Sequence, residues 1–420
     1  MGSYIIQGSD RLEGIVDIGG SKNAALPILA STVACGREYL LENIPDIEDV
    51  RDMLEILKTM GCSVQYDNGV ALIDTRGLNT YQVPERLVRK IRSSIILMGA
   101  VLQRTGNVEI AYPGGCEIGL RPIDLHLKGL KKLGVDILEK SGHLIGTVKK
   151  PDGCDISLDY PSVGATENIM LFAVGIPGKT TIYNPAREPE IVDLQNFLNV
   201  CGYSVSGAGT GVINIDGRKL ENTDTVEYKI ISDRIEAGTY LSAAASMKSK
   251  IYIRNIEKSH FKSITSIYED AGCEIRETHG TIVIANDRKL KAIEKITTQP
   301  YPGFPTDMQA QLMAAMAVAD GLTIIEETVF ESRFKHVPEL QKMGANITTI
   351  GRVAVVEGVE KMYGAEVEAK DLRGGAALVI AALGAEGTTK INNIHHISRG
   401  YEKFVSKLHN LGVIITEIKE

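Results

Sequence analysis

The apolar and polar positions along the chain repeat. A run of small apolar residues recurs at Ala24 to Cys35, Ser93 to Gln103, Thr166 to Val174, Gly238 to Met247, Met308 to Ala319 and Gly374 to Leu383. Each run is apolar nearly all round. A helix of that kind is either a membrane span or buried on every side within a protein. None approaches the roughly 20 apolar residues a bilayer requires. The runs therefore predict helices in the interior, with amphipathic helices and strands forming a wall outside them.

The second half of each unit repeats too. A polar-apolar helix ends in Leu-Lys-Thr-Met-Gly61-Cys-Ser-Val, and again in Leu-Lys-Lys-Leu-Gly134-Val-Asp-Ile. Gly202, Gly272, Gly344 and Gly412 continue the series at intervals of 68 to 73 residues. Each glycine fits the left-handed position that ends a helix. The β-branched residues after it begin a strand. A period of this kind has to be settled before anything else, because it decides the fold. Three units close one globule and six make two, so the chain predicts an α/β protein of two domains with buried helices and outer sheets. The strand at Tyr4-Ile-Ile-Gln-Gly8 precedes the first unit and has no partner there. It is expected to complete the last unit, beside the final strand Val413 to Ile418. The first domain is then residues 21–231, and the second is residues 1–20 with 232–420. The chain would cross between them near Gly20 and near Ile230 to Asp233.

Composition narrows the function. The 420 residues are 44% hydrophobic and 24% charged, which suits a soluble protein of two or three domains. A net charge of -7 argues against a general nucleic-acid binder but leaves room for a local basic pocket. The start, Met1-Gly-Ser-Tyr-Ile-Ile-Gln, lacks the layout of a signal peptide. Six scattered cysteines form no CxxC pair and no metal-ligand spacing, so free thiols in a reducing cytoplasm are expected. The one adjacent histidine pair, His395-His396, suggests no zinc site. Neither a metal nor a membrane partner is expected.

Charged residues stand where a purely structural repeat would be small or apolar. Cys116 lies in Tyr112-Pro-Gly-Gly-Cys-Glu-Ile-Gly-Leu-Arg-Pro-Ile-Asp-Leu-His126, with Arg121 five residues on. Pro and two Gly exclude regular structure, so Cys116 is expected on a surface loop. A nearby Arg favours the thiolate. A turn with a buried, inert Cys is the other reading of that stretch. Gly19-Gly-Ser-Lys22-Asn23 leads into an apolar helix whose free N–H groups attract anions, and Lys22 adds a point charge. It is not a Walker loop, and a solvated surface lysine is the alternative. Pro27 is tolerable there only near the first turn. Lys90-Ile-Arg92, Ala186-Arg-Glu-Pro-Glu190, Ser232-Asp-Arg-Ile-Glu236, Phe304-Pro-Thr-Asp307, Glu331-Ser-Arg333-Phe-Lys-His336, Asp371-Leu-Arg373 and Ser398-Arg399-Gly-Tyr401 complete the set. One such arginine alone reads as a surface ion pair. Several at like ends of like units would converge on a cleft suited to phosphates and carboxylates. A thiol and one or two carboxylates among them imply proton transfer or covalent chemistry.

These motifs, running from about Ile5 to the C-terminus, resemble the UDP-N-acetylglucosamine 1-carboxyvinyltransferases, enolpyruvyl transferases of bacterial peptidoglycan synthesis. The resemblance implies an inside-out α/β barrel of two domains with three repeats each, matching the count from the pattern. It implies transfer of the enolpyruvyl group of phosphoenolpyruvate to the 3′-hydroxyl of UDP-N-acetylglucosamine, with release of phosphate and no cofactor. By resemblance Cys116 is the general acid, forms a covalent adduct with phosphoenolpyruvate and is the target of the inhibitor fosfomycin. Asp307 takes the hydroxyl proton. Lys22, Arg121 and Arg399 hold the phosphate, Arg333 and Arg373 hold the carboxylate, and Asn23 lies against the reacting centre. Arg92, Arg121, Pro122, Ile123, Asp124, Leu125, Ser162, Val163, Gly164, Asp307 and Val329 contact the nucleotide sugar. Tyr160-Pro161 stands where some members carry a Lys, so no diphosphate contact is assigned there. Gly374-Gly375 replaces larger small residues and is expected to loosen its helix start. The alternatives are the sister enolpyruvyl transferase acting on shikimate 3-phosphate, a sixfold DNA clamp without enzymatic activity, and a catalytically silent paralogue.

Overall fold

The computed structural model describes residues 2–114, 123–220, 224–278 and 280–419. Among these the chain forms two compact units, one of residues 20–114 and 123–231, the other of residues 2–19 and 232–419. Each unit has its own hydrophobic core.

In the 232–419 unit the apolar runs become helices Arg234–Ala245, Gln309–Met316 and Leu372–Leu383, in which every residue is buried. They pack on one another. In the 20–231 unit the corresponding helices are Lys22–Ser31, Leu97–Thr105 and Val163–Ala173. Several begin earlier than the apolar runs, because a polar residue just upstream caps them. Ser21, Ser162, Asp233 and Asp371 each accept a hydrogen bond from an amide of the first turn. Pro27 is not near the helix start as expected. It is the sixth residue of Lys22–Ser31 and fully inside the helix, where it removes one backbone donor in a wholly buried segment.

Among the described residues each unit also contains three sheets. Five of the six are four-stranded, each with a parallel outer strand, a central strand and two further antiparallel strands, which form a hairpin in four of them and are Ser3–Gln7 and Ile414–Ile418 in the fifth. Strand Lys248–Arg254 shows why one face is buried. Ile251 and Ile253 point to the core with Ile282 and Ile284 of the neighbouring strand, while Lys248, Lys250 and Arg254 alternate outward. The sixth sheet has three strands, Asn107–Ala111, His143–Val148 and Val135–Lys140. Its fourth strand is reduced to the single parallel bridge Gln82↔Glu109, cut short by Pro84 at the start of a helix.

The N-terminal strand Ser3–Gln7 lies between Thr388–Asn392 and Ile414–Ile418, antiparallel to both, and so completes the last sheet. Strand Arg11–Asp17 pairs in parallel with Lys248–Arg254. All six helix-end glycines have positive φ, between 84° and 105°. Gly20 is required for another reason. A Cβ there would meet the Asn43 carbonyl oxygen at 1.6 Å.

Candidate functional site

In the 20–231 unit, Lys22 is the first residue of its helix, behind the Ser21 cap. Its Nζ lies 2.6 Å from Asp49 Oδ2, in the first turn of helix Glu48–Thr59. Both side chains are largely shielded from solvent, so loss of either partner would strand a shielded charge. Asn23 is half-buried beside it. Arg92 opens a short 3-10 turn and donates to the Pro113 carbonyl at 3.3 Å. That contact holds Arg92 against the base of the Cys116 stretch. Cys116, Arg121 and Pro122 themselves lie outside the described residues.

Ile123, Asp124 and Leu125 form the entry to helix Asp124–Lys132. Ser162 caps helix Val163–Ala173, which brings Val163 and Gly164 to its first turn. The two helix starts meet through His126: a Cβ at Gly164 would sit 2.9 Å from the His126 ring. His126 Nδ1 accepts from the Asn168 amide at 2.8 Å, and that amide also donates to the Ile95 carbonyl at 2.9 Å. Glu167 on the same helix is fully buried. Burial holds its carboxyl well above the usual range, and Glu188 and Glu190 push it further. The acidic motif Ala186–Glu190 is thus a shielded cluster rather than a solvated turn.

The 232–419 unit brings its predicted residues together more tightly. Asp307 sits in the turn Thr306–Met308, opened by Pro305. Its Oδ1 accepts from Arg333 Nη2 at 2.7 Å and its Oδ2 from Arg373 Nη2 at 3.1 Å. Both arginines are 3% exposed, whereas the Asp307 side chain keeps 28% of its surface open. Arg333 also donates to the Thr306 carbonyl through Nε and Nη2. Arg373 lies over the Tyr401 ring, 5.6 Å from its centre, and donates to its hydroxyl at 3.3 Å. Burial works against the Arg373 charge, but Asp307, Tyr401 and Asp233 outweigh it and raise its basicity above the ordinary guanidinium. Two buried cations thus meet on one part-exposed carboxylate, and guanidiniums in that setting are suited to a second carboxylate.

Val329 is placed by a residue the sequence reading missed. Glu327 is 1% exposed and accepts from the Val329 and Phe330 amides and from the Thr298 and Thr306 hydroxyls, at 2.8 to 3.0 Å. It fastens the Val329 segment to the turn that carries Asp307. Arg399 is half-buried at the end of helix His395–Ser398, two residues before Tyr401. Gly374 and Gly375 do not leave their helix loose. Asp371 Oδ1 accepts from the Arg373 and Gly374 amides, and a Cβ at Gly375 would meet Ile397 at 2.7 Å. Close packing requires glycine there.

Comparisons with known proteins agree along the whole length. The family model described as EPSP synthase (3-phosphoshikimate 1-carboxyvinyltransferase) matches residues 6–408. The chain is 48% identical to UDP-N-acetylglucosamine 1-carboxyvinyltransferase 2 of Caldanaerobacter subterraneus over 419 residues, covering 100% of both chains. It is 45% identical over 422 residues to the UDP-N-acetylglucosamine 1-carboxyvinyltransferase of Thermotoga petrophila, again covering 100% of both. Among solved structures, the enolpyruvyl transferase NikO from Streptomyces tendae superposes with a TM-score of 0.90 at 26% identity, covering 100% of this chain and 99% of that one. An EPSP synthase from Acinetobacter baumannii shares the fold, with a TM-score of 0.76 at 18% identity and full coverage of both.

Proposed function

The chain belongs to the EPSP synthase family of carboxyvinyltransferases, and from that membership we infer the reaction it performs. It is a transferase that moves the enolpyruvyl group of phosphoenolpyruvate to the 3′-hydroxyl of UDP-N-acetylglucosamine and releases phosphate, committing the sugar to peptidoglycan synthesis. The observation that carries this reading is full-length identity of 44 to 48% to UDP-N-acetylglucosamine 1-carboxyvinyltransferases.

The residue roles are our assignment. Cys116 delivers a proton to C3 of phosphoenolpyruvate, the 3′-hydroxyl adds at C2, and Asp307 takes the hydroxyl proton. Loss of a C3 proton and of inorganic phosphate then leaves the enolpyruvyl ether. Lys22, Arg121 and Arg399 hold the phosphate, and Arg333 and Arg373 hold the carboxylate. The Asp307 geometry supports this in one respect: the carboxylate assigned to the hydroxyl proton is held ionised by the two cations assigned to the substrate carboxylate. Cations fixed beforehand stabilise developing charge without reorganising. Asn23 is assigned to the reacting centre. Arg92, Arg121 to Leu125, Ser162 to Gly164, Asp307 and Val329 are assigned to the nucleotide sugar. The Cys116 thiol is assigned both a covalent adduct with phosphoenolpyruvate and alkylation by fosfomycin.

Each unit is read as a barrel turned inside out, supported by three buried helices and three sheets in each. Residues 21–231 are read as the domain carrying the catalytic thiol, and residues 1–20 with 232–420 as the other. The cytoplasm is the assigned compartment.

The family description favours one rival acceptor, shikimate 3-phosphate. Phosphate release from phosphoenolpyruvate, measured with each acceptor in turn, separates the two. Release with UDP-N-acetylglucosamine alone is expected, and release with shikimate 3-phosphate alone overturns the assignment.

A further inference from the structure

His336 is a buried imidazole to which the reaction assigns no task. It stands at the head of helix Val337–Lys342, three residues after Arg333, and is 2% exposed. Neither of its ring nitrogens makes a hydrogen bond of normal geometry among the described residues. The same is true of Asp371 Oδ2, also buried, while Oδ1 of that carboxylate caps the helix that carries Arg373. Asp371 Oδ2 and the His336 Cβ lie against the same point of backbone, each 3.0 Å from where a Gly374 Cβ would stand.

Buried polar atoms left without partners cost about 1–3 kcal/mol each, so a cluster of three calls for an explanation. Burial pushes His336 down to about 4; Arg333 pushes the same way, and Asp371 and the Arg333 carbonyl oppose them. The ring is therefore neutral near pH 7 and has one N–H to give. Two acceptors compete for it: the Arg333 backbone carbonyl and Asp371 Oδ2.

We propose that His336 is a positioning residue, tying the segment that carries Arg333 to the capped start of the helix that carries Arg373. The two guanidiniums come from separate stretches of chain and meet on Asp307. When the substrate carboxylate draws on them, Asp307 alone does not fix their spacing. In that state the His336 N–H, unbonded in this structure, is drawn to the Arg333 carbonyl or to Asp371 Oδ2 and holds the spacing from behind. The inference rests on the assignment of Arg333 and Arg373 to the phosphoenolpyruvate carboxylate.

The test is steady-state kinetics on the full chain with both substrates, with the melting temperature recorded for each variant. His336→Phe is expected to raise the KM for phosphoenolpyruvate about tenfold, the scale of one hydrogen bond near a charge, and to leave the KM for UDP-N-acetylglucosamine within twofold. His336→Gln, which keeps a donor and an acceptor, is expected to restore most of the loss. Asp371→Asn is expected to raise the same KM, and the double variant to raise it no further. An unchanged phosphoenolpyruvate KM in His336→Phe, with or without a lower melting temperature, overturns the inference. So do effects of His336→Phe and Asp371→Asn that multiply as independent. If His336→Phe does not fold, His336→Gln and Asp371→Asn decide by the same rule of non-additivity. Arg373→Gln separates the levels: if it leaves the phosphoenolpyruvate KM unchanged, the carboxylate assignment itself fails. If it raises that KM and His336→Phe does not, only the role of His336 fails.

Discussion

The Lys22 ammonium and the Asp49 carboxylate are 2.6 Å apart, with 13% and 5% of their side chains exposed. Asp49 therefore fixes where the lysine charge sits before any phosphate arrives. Replacing Asp49 with Asn removes the carboxylate that stands against this shielded lysine. The expected result is a loss on the order of 3 kcal/mol of stability and a weaker grip on phosphoenolpyruvate. Denaturant unfolding and the phosphoenolpyruvate KM check both. A variant as stable and as active as the parent would remove Asp49 from this role.

Asp307 faces two guanidiniums with its two oxygens and is the one partly exposed member of the three. Asp307→Asn puts an amide N–H against one of the cations and removes the proton acceptor. Turnover is expected to fall about 100-fold or more, the usual scale for losing a general base. The melting temperature is expected to fall as well, because two buried guanidiniums lose their counter-charge, so turnover is compared per folded molecule. A large unfolding effect with normal turnover per folded molecule would contradict the role.

Cys116→Ser retains shape and loses most of the acidity of the group. Turnover is expected to drop about 10²–10⁴-fold. Intact-protein mass spectrometry is expected to show the fosfomycin adduct on the parent and none on the variant. An adduct of equal yield on the variant would place the target elsewhere.

Asp193 provides a pH prediction. Its Oδ1 accepts from the Tyr228 hydroxyl at 2.6 Å and its Oδ2 from the Ile231 amide at 3.3 Å. Burial raises its carboxyl from 3.8 to about 6, against those two hydrogen bonds. The folded chain thus holds this proton more tightly than the unfolded chain. That contribution is full below pH 3.8 and is lost as pH rises through 6. Asp193→Asn does not titrate, so it is expected to gain on the parent by up to about 3 kcal/mol between pH 4 and pH 7. Urea unfolding at each pH measures the difference, and parallel stability curves would contradict it.

Much of the fold was legible because its period is carried by residues with a single structural use. Gly61 and its five successors mark helix ends by left-handed backbone, and the apolar runs mark buried helices. Helix starts were read late because Ser21, Ser162, Asp233 and Asp371 are polar and lie outside the runs they cap. A second marker went unread. Asn43, Asn184, Asn255 and Asn393 all adopt positive φ just after a strand, but Asn is common enough elsewhere to hide the series. The single bridge at Gln82 has no strand pattern to read. In the site, Asp307, Arg333 and Arg373 stood out as charges in short motifs. Asp49 and Glu327 did not, because each looked like an ordinary acid at a helix or strand end. Their meaning depends on partners the fold brings in, such as Lys22 for Asp49 and Thr298 and Thr306 for Glu327.

The place of strand Ser3–Gln7 between the last two strands has a consequence for how the protein is made. During synthesis residues 20–231 emerge as a complete set and can fold while the ribosome is still working. The opening residues cannot. Ser3–Gln7 waits for Ile414–Ile418, a closure across nearly the whole polypeptide, and such long-range pairing is slow to form. Arg11–Asp17 can pair once Lys248–Arg254 has been made, but Ser3–Gln7 stays without either neighbour until Thr388–Asn392 follows, so a tag that ties this strand would obstruct the last sheet rather than the first.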